Sequence, residues 1–219
     1  MSNCCLERPL VEICAPSVER AREAFALGAD RVELCRDIDC GGLTPAPEDF
    51  TAIPFLNGPV HVLIRPRPGD FVYSEEEVHA MLVSIDKAAV SRAAGVVVGA
   101  LTPDGRIDMN ISGALVARAR EHGLSVTFHR AVDETADYFR ACEDVCRLGV
   151  DRILTSGGMP TAFDGRFRLA QLIRPEAGVA ERPIILPGKG ITADNVLEII
   201  AVTGAREIHG TRLEILKNL

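Results

Sequence analysis

Two short segments of the chain repeat a pattern of residues that could bind a metal or transfer a proton. The segments LVEIC and DRVELC place Glu12 and Cys14 in the first, and Glu33 and Cys35 in the second, at the same spacing. Side chains alternate along a β-strand, so each glutamate shares one face with its cysteine, while the aliphatic residues share the other. Paired thiols suit a soft metal ion, but buried cysteines also serve as small hydrophobic residues. The sequence leaves both interpretations open.

A third segment, REIHG, repeats the spacing with Glu207 and His209. If the strands close into a barrel, the last strand lies beside the first, and we expect His209 at a height similar to that of Cys14 and Cys35. We therefore predict Cys14 and Cys35 as metal ligands, with His209 as a candidate third ligand and Cys40 as an accessory thiol. Thiolate and imidazole ligands suit Cu(I) or Zn(II). Two thiols without a CxxC pair argue against the four-ligand set of structural zinc, whereas Cu(I) tolerates fewer ligands and is the candidate cofactor.

Other charged residues follow strands and would meet at the same end of a barrel. Interior carboxylates need partners, and the expected partners of the two glutamates are Arg65, Arg130 and Lys189. If the protein is an enzyme, Glu12, Glu33 and His129 would perform acid–base catalysis. The predicted binding residues for a small anionic ligand are Arg65, Asp70, Arg130, Ser156, Gly157, Gly188, Lys189 and Gly190. The alternatives are structural salt bridges for the charged residues and tight turns for the glycines.

The elements that would position these residues form a regular series. Short apolar, β-prone runs occur near residues 10–14, 30–35, 60–65, 95–100, 124–129, 151–155, 183–187 and 206–210. The segments between them have helical patterns, with Ser17, Ser74 (in a capping box with Glu77) and Thr192 as predicted helix caps. Glycines predicted to end helices in a left-handed conformation are Gly28, Gly95, Gly123, Gly149 and Gly204.

Eight strands alternating with helices predict a parallel sheet closed into a (β/α)8 TIM barrel, within one domain covering residues 1–219. An open doubly wound sheet is the competing architecture. Residues 1–8 are expected to be a mobile N-terminus. Only nine residues follow the last strand, so the final helix should be short and the outer wall thin there. We expect a partner subunit to cover it, in a homo-oligomer such as a dimer or tetramer.

Composition excludes several classes of function. The net charge of −7 and the absence of Trp disfavour nucleic-acid partners. No apolar run is long enough for a membrane helix, and the N-terminus does not look like a signal peptide. The seven cysteines are then expected to be free thiols of a cytoplasmic protein. The chain has no P-loop and no GxGxxG sequence, so we expect no nucleotide cofactor.

Several long segments resemble those of a known family. VEICAPSVERA, GADRVELC followed by GGLTP, IRPRPGDFVYS, VTFHRAVD, RILTSGG and REIH, which run in order from about residue 10 to 210, are similar to the CutC family of copper-homeostasis proteins. The resemblance implies a (β/α)8 barrel, a cytoplasmic location, oligomers, and Cu(I) bound by two cysteines that match Cys14 and Cys35. It implies no established reaction. Family members tend to have a longer segment after the last strand than this chain.

Two functions therefore remain open from the sequence. The first is a Cu(I)-binding protein of copper homeostasis. The second is an enzyme that acts on a small anionic or phosphorylated metabolite at the C-terminal mouth of the barrel. The charged residues at the strand ends, which a metal carrier does not need, keep the second in consideration.

Overall fold

The computed structural model describes residues 8–173 and 182–219. The predicted mobile N-terminus lies outside this range apart from Arg8. Arg8 donates a hydrogen bond of 2.8 Å to Asp30, so this residue is held against the barrel.

Eight parallel strands form the centre of the protein, as predicted. They are β1 (Leu10–Ala15), β2 (Arg31–Leu34), β3 (Val60–Leu63), β4 (Gly95–Val98), β5 (Ser125–Phe128), β6 (Arg152–Thr155), β7 (Ile184–Pro187) and β8 (Glu207–Gly210). The strands pair in the order β7-β6-β5-β4-β3-β2-β1-β8, and β7 also lies beside β8. The sheet is therefore a nearly closed barrel, and the prediction of a (β/α)8 TIM barrel is confirmed.

Helices connect successive strands around the outside. They are α1 (Val18–Ala26), α2 (Pro47–Ala52), α3 (Glu75–Val90), α4 (Met109–Glu121), α5 (Tyr138–Arg147), α6 (Arg166–Ile173) and α7 (Val196–Thr203). After β8 the chain forms a single 3-10 helix (Leu213–Lys217), whose Leu213 and Ile215 are buried. The expected short final helix is thus present as a 3-10 segment. In the described part of the chain, no helix is long and apolar enough to cross a bilayer.

The helix boundaries confirm most of the predicted caps. Ser17 accepts a hydrogen bond from the backbone of Arg20, and Ser74 forms the predicted capping box with Glu77. The prediction for Thr192 is wrong. Asn195 occupies the N-cap position of α7, and its side chain instead accepts a hydrogen bond from the backbone N–H of Thr192.

The prediction for Gly95 is also wrong. Gly95 is the first residue of β4, and the left-handed residue after α3 is Arg92, with φ of 59°. Glycine is required at position 95 for a different reason: a Cβ atom there would lie 2.7 Å from Nε2 of His61 inside the barrel. The other four predicted glycines have positive φ values between 69° and 96°, and each lies one or two residues after the end of its helix.

Strand alternation separates two groups of buried side chains, as the sequence predicts. Val11, Ile13, Val32 and Leu34 belong to the large apolar cluster between sheet and helices. A second, small cluster fills the barrel interior and contains Cys14, Cys35, Leu63 and Val97. The chemistry-bearing residues of β1 and β2 therefore point into the barrel.

Candidate functional site

A pair of thiols lies near the C-terminal mouth of the barrel. The Sγ atoms of Cys14 and Cys35 are 3.5 Å apart, and both residues are buried. The loop after β2 packs against the pair, since a Cβ atom on Gly42 would lie 3.7 Å from Sγ of Cys35 and 2.8 Å from the side chain of Leu63. Each of the five cysteines that the structure describes is a free thiol, in agreement with the prediction.

The third predicted ligand, His209, is closer to the glutamates than expected. In the sheet register Cys14 is level with Glu33, whereas His209 is level with Glu12. The prediction that His209 lies at the height of Cys14 is therefore wrong, because the strands of a barrel are staggered. The imidazole of His209 nevertheless extends from the level of Glu12 to that of Cys14. Its Nδ1 is 2.7 Å from Glu12, and its Nε2 is 3.5 Å from Glu33, which is level with Cys14.

The stagger creates a compact set of donor atoms. One atom each from Cys14, Glu33 and His209 lies within 4.8 Å of the other two, and all three residues are buried. This is a donor set of sulfur, carboxylate and imidazole that a transition-metal ion could use. The sequence motif contained Cys14 and Glu33, but only the register between strands brings Glu33 into the set.

The protonation states of these groups are coupled. Burial by itself raises the pKa of Glu12, but the hydrogen bond with His209 and the charge of Arg31 outweigh it and hold the pKa well below its usual range. Burial opposes a charge on His209, yet its hydrogen bond with Glu12 and the charge of Glu33 raise the pKa of the imidazole. Both shifts favour an imidazolium–carboxylate pair at the centre of the site.

The remaining two groups favour their protonated forms. Burial raises the pKa of Glu33, and the nearby charge of Glu12 adds to the effect although His209 opposes it. The hydrogen bond with Cys35 and burial together raise the pKa of the Cys14 thiol well above its usual value. Cys14 is consequently a neutral thiol, not a free thiolate, when no cation is present.

Charged residues at the lower end of the barrel hold this site in place. Arg31 bonds to both Glu12 and Glu207, and Arg152 donates a 2.8 Å hydrogen bond to Glu207. The expected partners are therefore wrong for Glu12, which Arg31 reaches from within the barrel. Of the three expected residues, Arg130 does act on Glu33, because its charge favours the ionised carboxylate.

The sequence contains a signal for this network that the motif analysis missed. Arg31 and Arg152 occupy equivalent places in the near-repeats LGADRV and LGVDRI. Each repeat also contributes an aspartate that accepts a backbone hydrogen bond from the neighbouring strand: Asp30 from Val11 and Asp151 from Val126. An arginine at the first position of an alternating strand shares the parity of the inward residues, and this could have placed Arg31 and Arg152 inside the barrel.

The mouth of the barrel has a pocket above β3, β4 and β5. Its volume is about 540 Å³, and it is lined by the predicted residues Arg65, Asp70 and Arg130 together with Phe71 and Leu101. Asp70 is exposed and paired with Arg67 at 2.8 Å. Such a pocket at the C-terminal face is where barrel proteins bind small molecules.

The other predicted ligand residues do not line this pocket, and much of their backbone is already bonded. Asp133 accepts hydrogen bonds from the N–H groups of Ser156 and Gly158, and Thr155 accepts one from Gly157. The backbone N–H groups of Ser156 and Gly157 are thus bonded within the protein, and ligand binding by these two residues stays a prediction.

The predicted phosphate loop after β7 is similarly constrained. Gly188 is buried and donates its N–H to Thr155, while Lys189 and Gly190 are exposed. Helix α7 begins only at Val196, several residues further on. The structure gives this loop no direct connection to a helix N-terminus, and a phosphate site there stays a prediction.

Fold and site together define a class: a (β/α)8 barrel with a buried Cys–Glu–His donor set beside a second thiol. The comparisons with known proteins agree. The family model described as the CutC family matches residues 9–214. A CutC family protein of Xylella fastidiosa is 44% identical over 207 residues, covering 94% of this chain and 76% of its own length. The chain belongs to the CutC family.

Solved structures give the same result. The crystal structure of the CutC protein from Streptococcus agalactiae, whose name refers to copper homeostasis, is 29% identical and has a TM-score of 0.82, covering 94% of this chain and all of its own. A phosphoribosyl anthranilate isomerase from Thermococcus kodakaraensis is 17% identical with a TM-score of 0.58, covering 93% of this chain and 88% of its own. This second likeness concerns the fold alone.

Proposed function

We propose that this protein binds Cu(I) through Cys14 and Cys35, with His209 as a third ligand, in the copper homeostasis of the cytoplasm. The observation that carries the proposal is the 3.5 Å separation of the two buried Sγ atoms. Two sulfurs that bind one ion at ~2.3 Å in a tetrahedral arrangement lie ~3.8 Å apart. The observed separation is close to this value, so both thiols can reach a single ion with little rearrangement.

The electrostatics of the site favour a cation. Glu12 is ionised, and Glu33 lies beside Cys14, so the groups that hold a proton on the thiol would equally attract Cu(I) in its place. Glu12 also fixes the orientation of His209 by bonding Nδ1, which leaves Nε2 directed toward Glu33 and Cys14. A carboxylate behind a ligating imidazole is a common second partner in metal sites.

Competition for Cu(I) against a chromogenic chelator, under reducing conditions, tests this proposal. We expect the double variant Cys14→Ser, Cys35→Ser to lose at least a hundredfold in affinity, because serine replaces both soft ligands. The matched control is Cys146→Ser, which removes a thiol from helix α5, away from the barrel mouth. If the double variant binds Cu(I) as tightly as the wild-type protein, the site assignment is wrong.

The second candidate function is an enzyme that acts on a small anionic or phosphorylated metabolite. The observation that favours it is the buried chain Glu12–His209–Glu33, whose carboxyl groups differ in protonation: the pKa of Glu12 is lowered and that of Glu33 is raised. Such separation of pKa values is typical of acid–base pairs. Glu33 would exchange protons with the substrate and Glu12 would hold His209. His129, the other predicted catalytic residue, would act as a neutral imidazole, because burial lowers its pKa to about 3.

A screen of metabolites by thermal shift, followed by NMR detection of turnover, tests the enzyme. We expect a stabilising metabolite to be converted by the wild-type protein and at least a hundredfold more slowly by Glu33→Gln, which cannot exchange a proton. Turnover that is unchanged in Glu33→Gln would refute the assigned role.

We also propose that copies of the chain associate. Leu197 on α7 presents an apolar side chain that is 57% exposed on the outer wall of the barrel. Light scattering at micromolar concentration is expected to give a dimer or larger, and a strictly monomeric protein would contradict this.

A further inference from the structure

The pocket at the barrel mouth contains a buried positive charge without a counter-charge. Arg65 is 5% exposed, and its guanidinium donates to the backbone carbonyl groups of Cys40, Gly42 and Gly69. Among the described residues, no carboxylate oxygen lies within 4.0 Å of it, and its Nε–H has no hydrogen-bond partner. A buried charge without an ionic partner is costly, so this arrangement points to a missing anion.

The residues around Arg65 do not supply that anion. Two carboxylates, Asp70 and Glu134, line the pocket, but Asp70 is bound to Arg67 and the exposed Glu134 makes no ion pair with Arg65 among the described residues. Tyr73 lies close to Arg65, and burial raises the pKa of its phenol to about 12, so it is neutral at pH 7. The Phe71 ring packs against the guanidinium of Arg65, 4.8 Å from the ring centroid to Cζ, and carries no net charge.

Two further N–H donors near this position lack partners. In His129, Nδ1 accepts a hydrogen bond from the backbone of Ala131, which assigns the proton to Nε2, and Nε2 is buried without a partner. The Nε atom of Arg130 forms no hydrogen bond among the described residues, although it lies 3.5 Å from a carboxylate oxygen of Asp133. That carboxylate already accepts hydrogen bonds from the loop after β6.

The fold brings these donors to one end of the barrel. Arg65 and His129 follow β3 and β5 with inward parity, and Gly99 directly follows β4, the strand between them. A Cβ atom on Gly99 would lie 2.6 Å from the His129 ring, so the imidazole covers this glycine. Phe71 contacts both Arg65 and His129: its ring lies against the guanidinium of Arg65, and its centroid is 4.9 Å from that of the His129 ring. Arg65 and Arg130 both line the 540 Å³ pocket, a size that suits a small metabolite.

We propose that this pocket binds the oxyanion group of a small metabolite, a carboxylate or a phosphate, through the guanidinium groups of Arg65 and Arg130 that line it, with the buried imidazole N–H of His129 beside them. Planar guanidinium groups bind both kinds of oxyanion through paired hydrogen bonds. The proposal deepens the second candidate function, on which it rests for any catalytic meaning, by naming the substrate group and its position over β3 and β5. It does not depend on Cu(I).

Isothermal titration calorimetry on the reduced, metal-free, full-length chain tests the proposal, with inorganic phosphate and malonate as separate probes and sodium chloride at matched ionic strength as reference. The wild-type protein is expected to bind at least one probe with millimolar or tighter affinity. Binding of phosphate alone identifies a phosphorylated ligand, and binding of malonate alone identifies a carboxylate. If neither probe binds beyond the chloride reference, the proposal is overturned.

The decisive variant is Arg130→Gln. Arg65 donates hydrogen bonds to three loop carbonyl groups and its loss would disturb the loops, whereas Arg130 donates to none of these groups. We expect affinity to fall about tenfold or more, as one charged hydrogen-bond donor is removed. Arg106→Gln is the charge-matched control: Arg106 is exposed, pairs with Asp104 and does not line the pocket, so affinity should change less than twofold. Equal binding by Arg130→Gln and wild type would overturn the proposal. If the probes bind but the metabolite screen detects no turnover, the binding proposal is retained and the enzymatic function is refuted.

Discussion

His129 should make the stability of the protein depend on pH. Its ring is buried at the barrel mouth, where desolvation and the charge of Arg65 lower its pKa from 6.5 to about 3. In the unfolded chain the imidazole recovers its ordinary pKa of ~6.5. Below that pH the unfolded state binds a proton that the folded state does not. The contribution of His129 to the free energy of unfolding is therefore fully present above pH ~6.5 and is lost as the pH falls toward about 3.

The size of the effect follows from the same values. Between pH ~6.5 and ~4.5 the unfolded histidine gains a proton while the folded one stays neutral, and each pH unit in this range is worth ~1.4 kcal/mol. His129 alone should therefore lower the free energy of unfolding by about 2–3 kcal/mol between pH ~7 and ~4.5. His61, whose pKa burial lowers to about 4, adds a similar dependence.

Urea denaturation at the two pH values, in the absence of metal and of multivalent anions, measures this. We expect His129→Gln to lose about 2–3 kcal/mol less than the wild-type protein on acidification, whatever the absolute stability of the variant. His79→Gln is the matched control, because His79 is exposed on α3, and it should follow the wild-type protein. Equal acid losses in His129→Gln and wild type would refute the reasoning that His129 is buried and neutral.

Three further substitutions test the local structure by urea denaturation at neutral pH. Ser74→Ala removes the capping box of α3 and should cost about 1 kcal/mol; no loss would mean that the cap is not formed in solution. Gly95→Ala should destabilise by at least ~1–3 kcal/mol, because a Cβ atom would lie 2.6 Å from the carbonyl oxygen of Ser125 and 2.7 Å from His61. The same change at Gly113, within α4 and with no side chain nearer than 3.9 Å, should stabilise by ~0.5–1 kcal/mol. A common sign for the two glycine substitutions would contradict the packing described for β4.

Local patterns in the sequence were sufficient for most of the fold. Each apolar run is short and bounded by a turn or cap signal, so the eight strands could be located without knowledge of their neighbours. The two wrong boundary predictions have local physical reasons. Thr192 lies in the turn before α7, where its N–H donates to the side chain of Asn195, and the helix begins only after Asn195, whose side chain makes no capping bond to it. A glycine directly before a strand, as at position 95, predicts a helix terminus. Here the glycine is required because the ring of His61 on the neighbouring strand leaves no space for a side chain.

The candidate site was predictable only in part. Period-two alternation and the repeated motif were enough to direct Cys14 and Cys35 inward, and their close approach follows from adjacent strands. Partner choice for the charged residues was not predictable in the same way. Arg65 was expected to neutralise a buried glutamate, yet it holds loop carbonyl groups instead, because the loop after β2 folds back over the end of β3.

The sequence by itself determined which side chains of β1, β2 and β8 face the barrel interior, since alternation is a property of each strand alone. Only the tertiary structure decided which of them are neighbours. Closing the barrel staggers the strands, so that Glu12 is level with His209 and Cys14 with Glu33. Closure also buries Arg65 beside the pocket without a carboxylate partner. These relations join residues far apart in the chain, and the register between such strands is set by the packing of the whole sheet.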